Sequence, residues 1–111
     1  MVEKLSSYRK SIAARVVDDY IRELSDDMVI AFIVSPLSHK ARFRMMKSLS
    51  LGSMSYKDLS EATGYSGGRL IYHLNMLTSA GLVVKNDAAS RYSITEKGVG
   101  VVDLVKMLYF R

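Results

Sequence analysis

Apolar residues recur at helical spacing near the start of the chain, at Leu5, Tyr8, Ile12, Val16 and Tyr20 with Ile21 and Leu24 beside them, while Glu3, Arg9, Lys10, Asp18 and Arg22 take the other faces. That pattern predicts a long amphipathic helix. Ser25 is placed to cap a second one, with Asp26 and Asp27 in its first turn, where carboxylates suit the helix dipole. The apolar run Met28 to Val34 predicts a buried segment, either a helix or, being so short, a strand. Pro36, the one proline, is the clearest break.

Beyond Pro36 the punctuation becomes regular. Ser38 is placed to cap a helix with an apolar stripe of Phe43, Met46 and Leu49 joined by Met45, and with Lys40, Arg42, Arg44 and Lys47 on its polar side, ending at Gly52. Ser55 with Asp58 three residues on is a capping-box pattern that opens a short helix, turning Leu59 and Ala62 inward and stopping at Gly64. A third helix follows Ser66, with Leu70, Leu74 and Leu77 as its core stripe and Ala80-Gly81 as its end. Leu82 to Lys85 reads as a strand, Asn86 to Ser90 as a turn, and Arg91 to Ile94 as the returning strand of a hairpin. Thr95 then caps a last helix whose wide apolar face is Val101, Val102, Val105, Leu108 and Tyr109. Two helices joined by the brief Gly64-Tyr65 turn, the second leading into a hairpin, form a helix-turn-helix followed by a wing. The expected fold is mainly α with a small β-hairpin, a winged helix-turn-helix over residues 36–98. An N-terminal helical extension (1–35) and a C-terminal helix (95–111) flank it.

A chain of 111 residues has room for one core. Its 49% hydrophobic and 24% charged residues are globular values. Charge changes the picture more. Residues 1–39 hold five Lys/Arg and six Asp/Glu, a net of −1, whereas residues 40–111 hold eleven Lys/Arg and five Asp/Glu, a net of +6. All the excess positive charge therefore lies with the helix-turn-helix and the last helix, an electrostatic footprint for a polyanion. With no cysteine there is no disulfide, thiolate catalysis or zinc finger, and no run is apolar enough for a signal peptide or a bilayer span. A cytoplasmic protein without membrane attachment is expected.

Four motifs in order carry a family resemblance. Leu37-Ser38-His39-Lys40-Ala41-Arg42-Phe43-Arg44-Met45-Met46-Lys47-Ser48-Leu49 resembles the opening helix of ArsR-like winged-helix regulators. Ser55 to Gly64 is similar to the first helix of their helix-turn-helix, Arg69 to Leu77 with Ala80-Gly81-Leu82-Val83 to their recognition helix and its exit, and Tyr92 to Gly98 to the strand-to-helix junction after the wing. The resemblance implies a prokaryotic transcription regulator, usually homodimeric, that places its recognition helix in the major groove of double-stranded DNA. It also implies that Arg42 is a structural anchor. The Cys or His/Asp sets of the metal-sensing members are missing, so no metal and no cofactor are expected.

With Leu70, Leu74 and Leu77 inward, helical spacing turns Gly68, Arg69, Tyr72 and Asn75 outward, with Ser66 and Gly67 at the helix tip. Arg can donate twice to guanine, Asn can pair with adenine, and Tyr can bond a phosphate or pack on a thymine methyl. Gly67 and Gly68 would let the helix N-terminus approach a phosphate, or they simply relax a turn. Lys85 and Arg91 flank the wing and would touch phosphates or the minor groove, against the plainer reading of a solvated hairpin. Lys57 is placed to meet the DNA backbone. His73 reads as a packed histidine with a local hydrogen bond, and the methionines at 45, 46, 54 and 76 as core.

The terminal helices carry more apolar surface than so small a core can cover, so they are expected to pair across a two-fold axis through Ile12, Val16, Tyr20, Val101, Val105, Leu108 and Tyr109. The alternative is that they wrap their own subunit. Their surplus apolar surface also makes them a candidate pocket for a small-molecule effector. No nucleophile–base set, phosphate loop or paired metal ligands argue for an enzyme. The competing class is a winged-helix module that docks protein without specific DNA binding.

Overall fold

The computed structural model describes residues 20–111, so Ile12 and Val16 and most of the expected first helix lie outside the described residues. Residues 20–23 are helical. Ser25 Oγ then accepts from Met28 N–H at 3.3 Å and starts α1 (Asp26–Val29). A π-helical turn (Ile30–Val34) and a short α2 (Ser35–Leu37) continue it. The widened turn closes with Ser35 N–H donating to the Ile30 carbonyl. Pro36 therefore sits inside helical backbone, where it lacks only the N–H that an ordinary turn would use. The break comes after it, at Ser38-His39.

The run 28–34 is helical rather than extended, and the expectation that it is buried fails. Val29 is half-covered, while Met28, Ile30, Phe32, Ile33 and Val34 are exposed, Phe32 least so, with the Lys97 ammonium 5.5 Å from the centroid of its ring. The cap of the next helix, α3 (Lys40–Leu49), is also displaced by one residue from Ser38. Ser38 Oγ is spent on the Ser35 carbonyl at 2.7 Å, and His39 Nδ1 accepts from Ala41 N–H at 3.0 Å instead.

The remaining elements are β1 (Met54–Ser55), α4 (Tyr56–Thr63), α5 (Gly67–Ser79), β2 (Val83–Asn86), β3 (Arg91–Ile94) and α6 (Glu96–Tyr109). Ser55 and Asp58 form the expected reciprocal capping box, with Asp58 N–H donating to Ser55 Oγ at 3.1 Å and Ser55 N–H to Asp58 Oδ2 at 3.2 Å. These bonds to its charged form hold the Asp58 carboxyl below the usual carboxylate range. The hairpin has a partner that the pattern of the chain did not announce. The sheet order is β1-β3-β2, antiparallel throughout, with Met54 opposite Tyr92 and Val83 opposite Ile94.

Behind this small sheet, α3 contributes Met45, Met46 and Leu49, α4 contributes Leu59, and α5 contributes Leu70, Leu74 and Leu77 to one fully buried cluster. Tyr92, Leu82, Val83 and Val102 close it from the wing and α6. The stripe at i, i+4 and i+7 on α5 thus faces inward as its spacing requires. Of the wide apolar face of α6, only Val102 is buried.

α6 approaches the base of the wing closely at Gly98. A Cβ there would overlap the Leu82 carbonyl oxygen and stand 2.6 Å from Ile94 Cγ1. The neighbours are backbone and a β-branched side chain in a strand, so they cannot yield. Gly98→Ala is expected to cost at least about 1–3 kcal/mol of unfolding free energy, the usual range for overpacking, read by urea denaturation against wild type. Gly100→Ala on the same helix, where the added Cβ meets nothing, is the control and is expected to be neutral or stabilising.

Candidate nucleic-acid interface

The face of α5 opposite its leucines carries Gly68, Arg69, Tyr72 and Asn75, all exposed, with Ile71 beside them. Ser66 is the N-cap by backbone geometry, yet its hydroxyl makes no capping bond. The Tyr56 hydroxyl, from α4, accepts the Gly67 N–H at 2.6 Å instead. Gly67 has φ +60°, a left-handed conformation that a side chain disfavours, so this glycine sets the path of the chain into the helix. The structure therefore gives the plainer reading of Gly67 a definite basis, and leaves the exposed Ser66 hydroxyl without a capping bond.

Behind the exposed row lies a cluster of rings. His73 is buried, and Arg42 Nη1 donates to its Nδ1 at 2.9 Å. A guanidinium can only donate, so Nδ1 accepts and the ring proton is on Nε2. Arg42 is itself buried, its Nε donating to the Pro36 carbonyl and its Nη2 to that of Ser35, both at 2.8 Å. It is the anchor that the resemblance implied, not part of the polar side of α3. Tyr65, in the turn between α4 and α5, stacks on His73 with ring centroids 5.4 Å apart. The Arg69 guanidinium lies 4.4 Å from the centroid of the Tyr65 ring. Burial, reinforced by the neighbouring His39, Arg42 and Arg69, pushes the His73 imidazole below its ordinary value.

The two wing cations differ. Lys85 is exposed, 3.7 Å from the Asp87 carboxylate at the hairpin turn. Arg91 reaches away from that turn, with Nε donating to Ser53 Oγ at 3.0 Å and Nη2 to the Ser53 carbonyl at 2.7 Å. Its guanidinium braces the chain entering β1 and is partly committed there. Lys57 is exposed in the first turn of α4. Tyr56 and Tyr65 had no signal of their own in the sequence, since Tyr56 finds its partner eleven residues away and Tyr65 sits in a turn. The i, i+4 spacing of Tyr65 and Arg69 was the one available clue.

Residues 39–85 match the family model described as bacterial regulatory protein, arsR family. This segment is thus similar to an ArsR-type helix-turn-helix. The matched segment spans His39, the capping box, all of α5 and the first residues of β2, and so includes the exposed row and the ring cluster behind it. A solved structure of similar shape is the transcriptional repressor BigR from Xylella fastidiosa, with a TM-score of 0.66 and 23% identity over 87% of this chain and 93% of that one. That likeness shows the winged-helix fold. Comparison with curated proteins gives no match. Among the described residues no helix is long and apolar enough to cross a membrane.

The lowered His73 value fixes a sign. Between the lowered folded value and the ordinary 6.5, the unfolded chain binds a proton that the folded one refuses. Stability is then complete above about pH 7 and declines as pH falls through 6.5, a loss expected as a falling Tm from pH 7 to pH 5 by circular dichroism. His73→Gln, whose amide oxygen can accept from Arg42 but does not titrate, is expected to flatten that decline.

Proposed function

We propose that this protein is a sequence-specific, DNA-binding transcriptional regulator that acts as a homodimer. Its α5 region (66–80) enters the major groove, and its wing (85–91) lies on the backbone or in the minor groove. The observation that carries the reading is the exposed row Arg69, Tyr72 and Asn75 on α5, set directly over a fully buried leucine stripe in an ArsR-type segment. These side chains combine a fork of donors, an amide and an aromatic edge, the means by which base edges are told apart. Ser66, Gly68 and Lys57, all exposed, serve phosphates in this reading, as does Lys85 on the wing, while Gly67 sets the path of the chain into α5. Arg91 contributes mainly by holding the wing. BigR is named a transcriptional repressor, and the same class of activity is proposed here.

The homodimer rests on uncovered apolar surface. Tyr20, Leu108 and Tyr109 from the expected seam are exposed, at 66%, 46% and 80%, and Val101 and Val105 are half-covered. Ile30, Ile33, Leu104 and Phe110 add to that surface, which a single copy leaves in water at a cost that pairing removes. A groove of about 710 Å³ between α3 and α6, with Phe43, Leu51, Val102 and Phe110 in its wall, has room for a small molecule. Val105 and Tyr109 also line it, so the groove is assigned here to the dimer seam. Two copies would present α5 to half-sites about one DNA turn, roughly 34 Å, apart.

The test is binding to a duplex from the protein's own upstream region against mixed-sequence DNA, titrated across salt. Wild type is expected to prefer the native fragment with a log–log salt slope of several charges, and Arg69→Ala to lose about 1–3 kcal/mol on that fragment alone. No binding near about 50 mM salt overturns the reading in favour of a protein-docking module, and equal binding to both duplexes leaves a non-specific role. For the dimer, light scattering on Leu108→Asp with Tyr109→Asp is expected to give a monomer with weakened DNA affinity. A dimer of unchanged mass in that variant would remove these residues from the seam.

A further inference from the structure

Tyr65 is half-buried and is fixed from both sides of its backbone. Its N–H donates to Thr63 Oγ1 at 3.2 Å, and its carbonyl accepts from Ser60 Oγ at 2.6 Å. Its ring stacks on His73, which Arg42 holds from below. The ring is therefore a rigid extension of the core, reaching the surface where Arg69 leaves α5. The Arg69 guanidinium lies over it, 4.4 Å from the centroid, and among the described residues the guanidinium has neither a carboxylate partner nor a hydrogen bond. An arginine at the surface ordinarily samples many rotamers and must be ordered when it binds. A guanidinium held over a ring has part of that ordering done in advance, and its N–H donors, with no acceptor among the described residues, are left for a ligand.

We propose that Tyr65 is a positioning residue for DNA reading: it holds the Arg69 fork in a preset orientation, so that sequence discrimination depends on a side chain in the turn before the reading helix. This rests on the DNA-binding reading above. Tyr65 carries no charge, so the number of phosphates neutralised does not involve it. Its loss therefore lowers the preference for the cognate sequence without changing the salt slope, a combination that a merely destabilised protein does not show.

The experiment measures Kd for a duplex selected by the full chain from a randomised pool and for mixed-sequence DNA, in wild type, Tyr65→Phe, Tyr65→Leu, Arg69→Ala and the Tyr65→Leu/Arg69→Ala double variant. Tyr65→Leu is expected to reduce the cognate-to-mixed ratio about two- to fivefold, the scale of an exposed cation–ring contact, with unchanged mixed-DNA affinity and salt slope. Tyr65→Phe keeps the ratio, and in the Arg69→Ala background Tyr65→Leu has no further effect. Arg69→Lys, an exposed substitution that keeps the charge without the planar fork, lowers the ratio at constant slope and guards against a folding defect in Tyr65→Leu. In the free protein, ring-current upfield shifts of the Arg69 side-chain protons are expected in wild type and Tyr65→Phe, and are lost in Tyr65→Leu. An unchanged ratio in Tyr65→Leu, an equal loss with and without Arg69, or Arg69 proton shifts unaltered by the substitution overturns the proposal. Failure of wild type to bind any duplex overturns the DNA reading itself, and this proposal with it.

Discussion

A buried guanidinium without a carboxylate sets the terms for the rest of this structure. Arg42 is 5% exposed, and its charge is met by the Ser35 and Pro36 carbonyls at the end of one helical run and by the neutral nitrogen of His73 on another. Carbonyls at a helix C-terminus carry the negative end of its dipole, so they can offset a cation where no acid is available. Leaving any of these acceptors unpaired in so dry a place would be costly, and among the described residues no buried side-chain polar atom lacks a partner. Two consecutive helical segments and a third one thirty-one residues on are therefore referenced to one planar group. α5 cannot shift relative to α3 without breaking the 2.9 Å bond to His73.

The far end of α5 is fixed by different means. Gly81 N–H donates to the Thr78 carbonyl and Leu82 N–H to that of Leu77, the paired bonds of a Schellman ending, with Gly81 left-handed at φ +76°. Lys97 Nζ then donates to the Ala80 carbonyl at 2.7 Å, and Thr95 Oγ1 to the Gly81 carbonyl at 2.6 Å. The start of α6 thus satisfies carbonyls that the end of α5 leaves over. Both ends of the helix are tied to the core, and its middle turns carry the residues that have no internal task. A helix so held presents Arg69, Tyr72 and Asn75 as one rigid row.

The central fold was legible because its signals are local. The capping box needs only residues 55–58, the leucine stripe only one helix, and the hairpin only two short runs around a polar turn. What escaped depends on partners far along the chain. β1 is two residues long, too short for any period, and exists because β3 offers it a ladder. The capping of Gly67 by Tyr56 crosses a whole helix, and the Arg91–Ser53 bonds cross thirty-eight residues. The apolar run 28–34 misled for a related reason: hydrophobicity predicts that a surface will be covered, but not by which surface. His39 replaced Ser38 as cap because the serine hydroxyl had a nearer carbonyl to satisfy. For the exposed row, helical geometry alone turned Arg69, Tyr72 and Asn75 outward. Their backing by Tyr65 and His73 needed the packed structure.

The bracing of Arg91 on Ser53 has a mechanical consequence. It joins the returning strand of the wing to the chain that enters β1, so the lower part of the hairpin is stitched on both edges, by β2 through the ladder and by this side chain on the other side. Compliance is left to residues 87–90, where Ser90 takes a positive φ of 51° and the Asn86 amide oxygen accepts from Ala89 N–H. The wing is thus a stiff lever with a soft tip. A load on the tip would be met by rearranging four residues, while the strands that carry them keep their angle to α5.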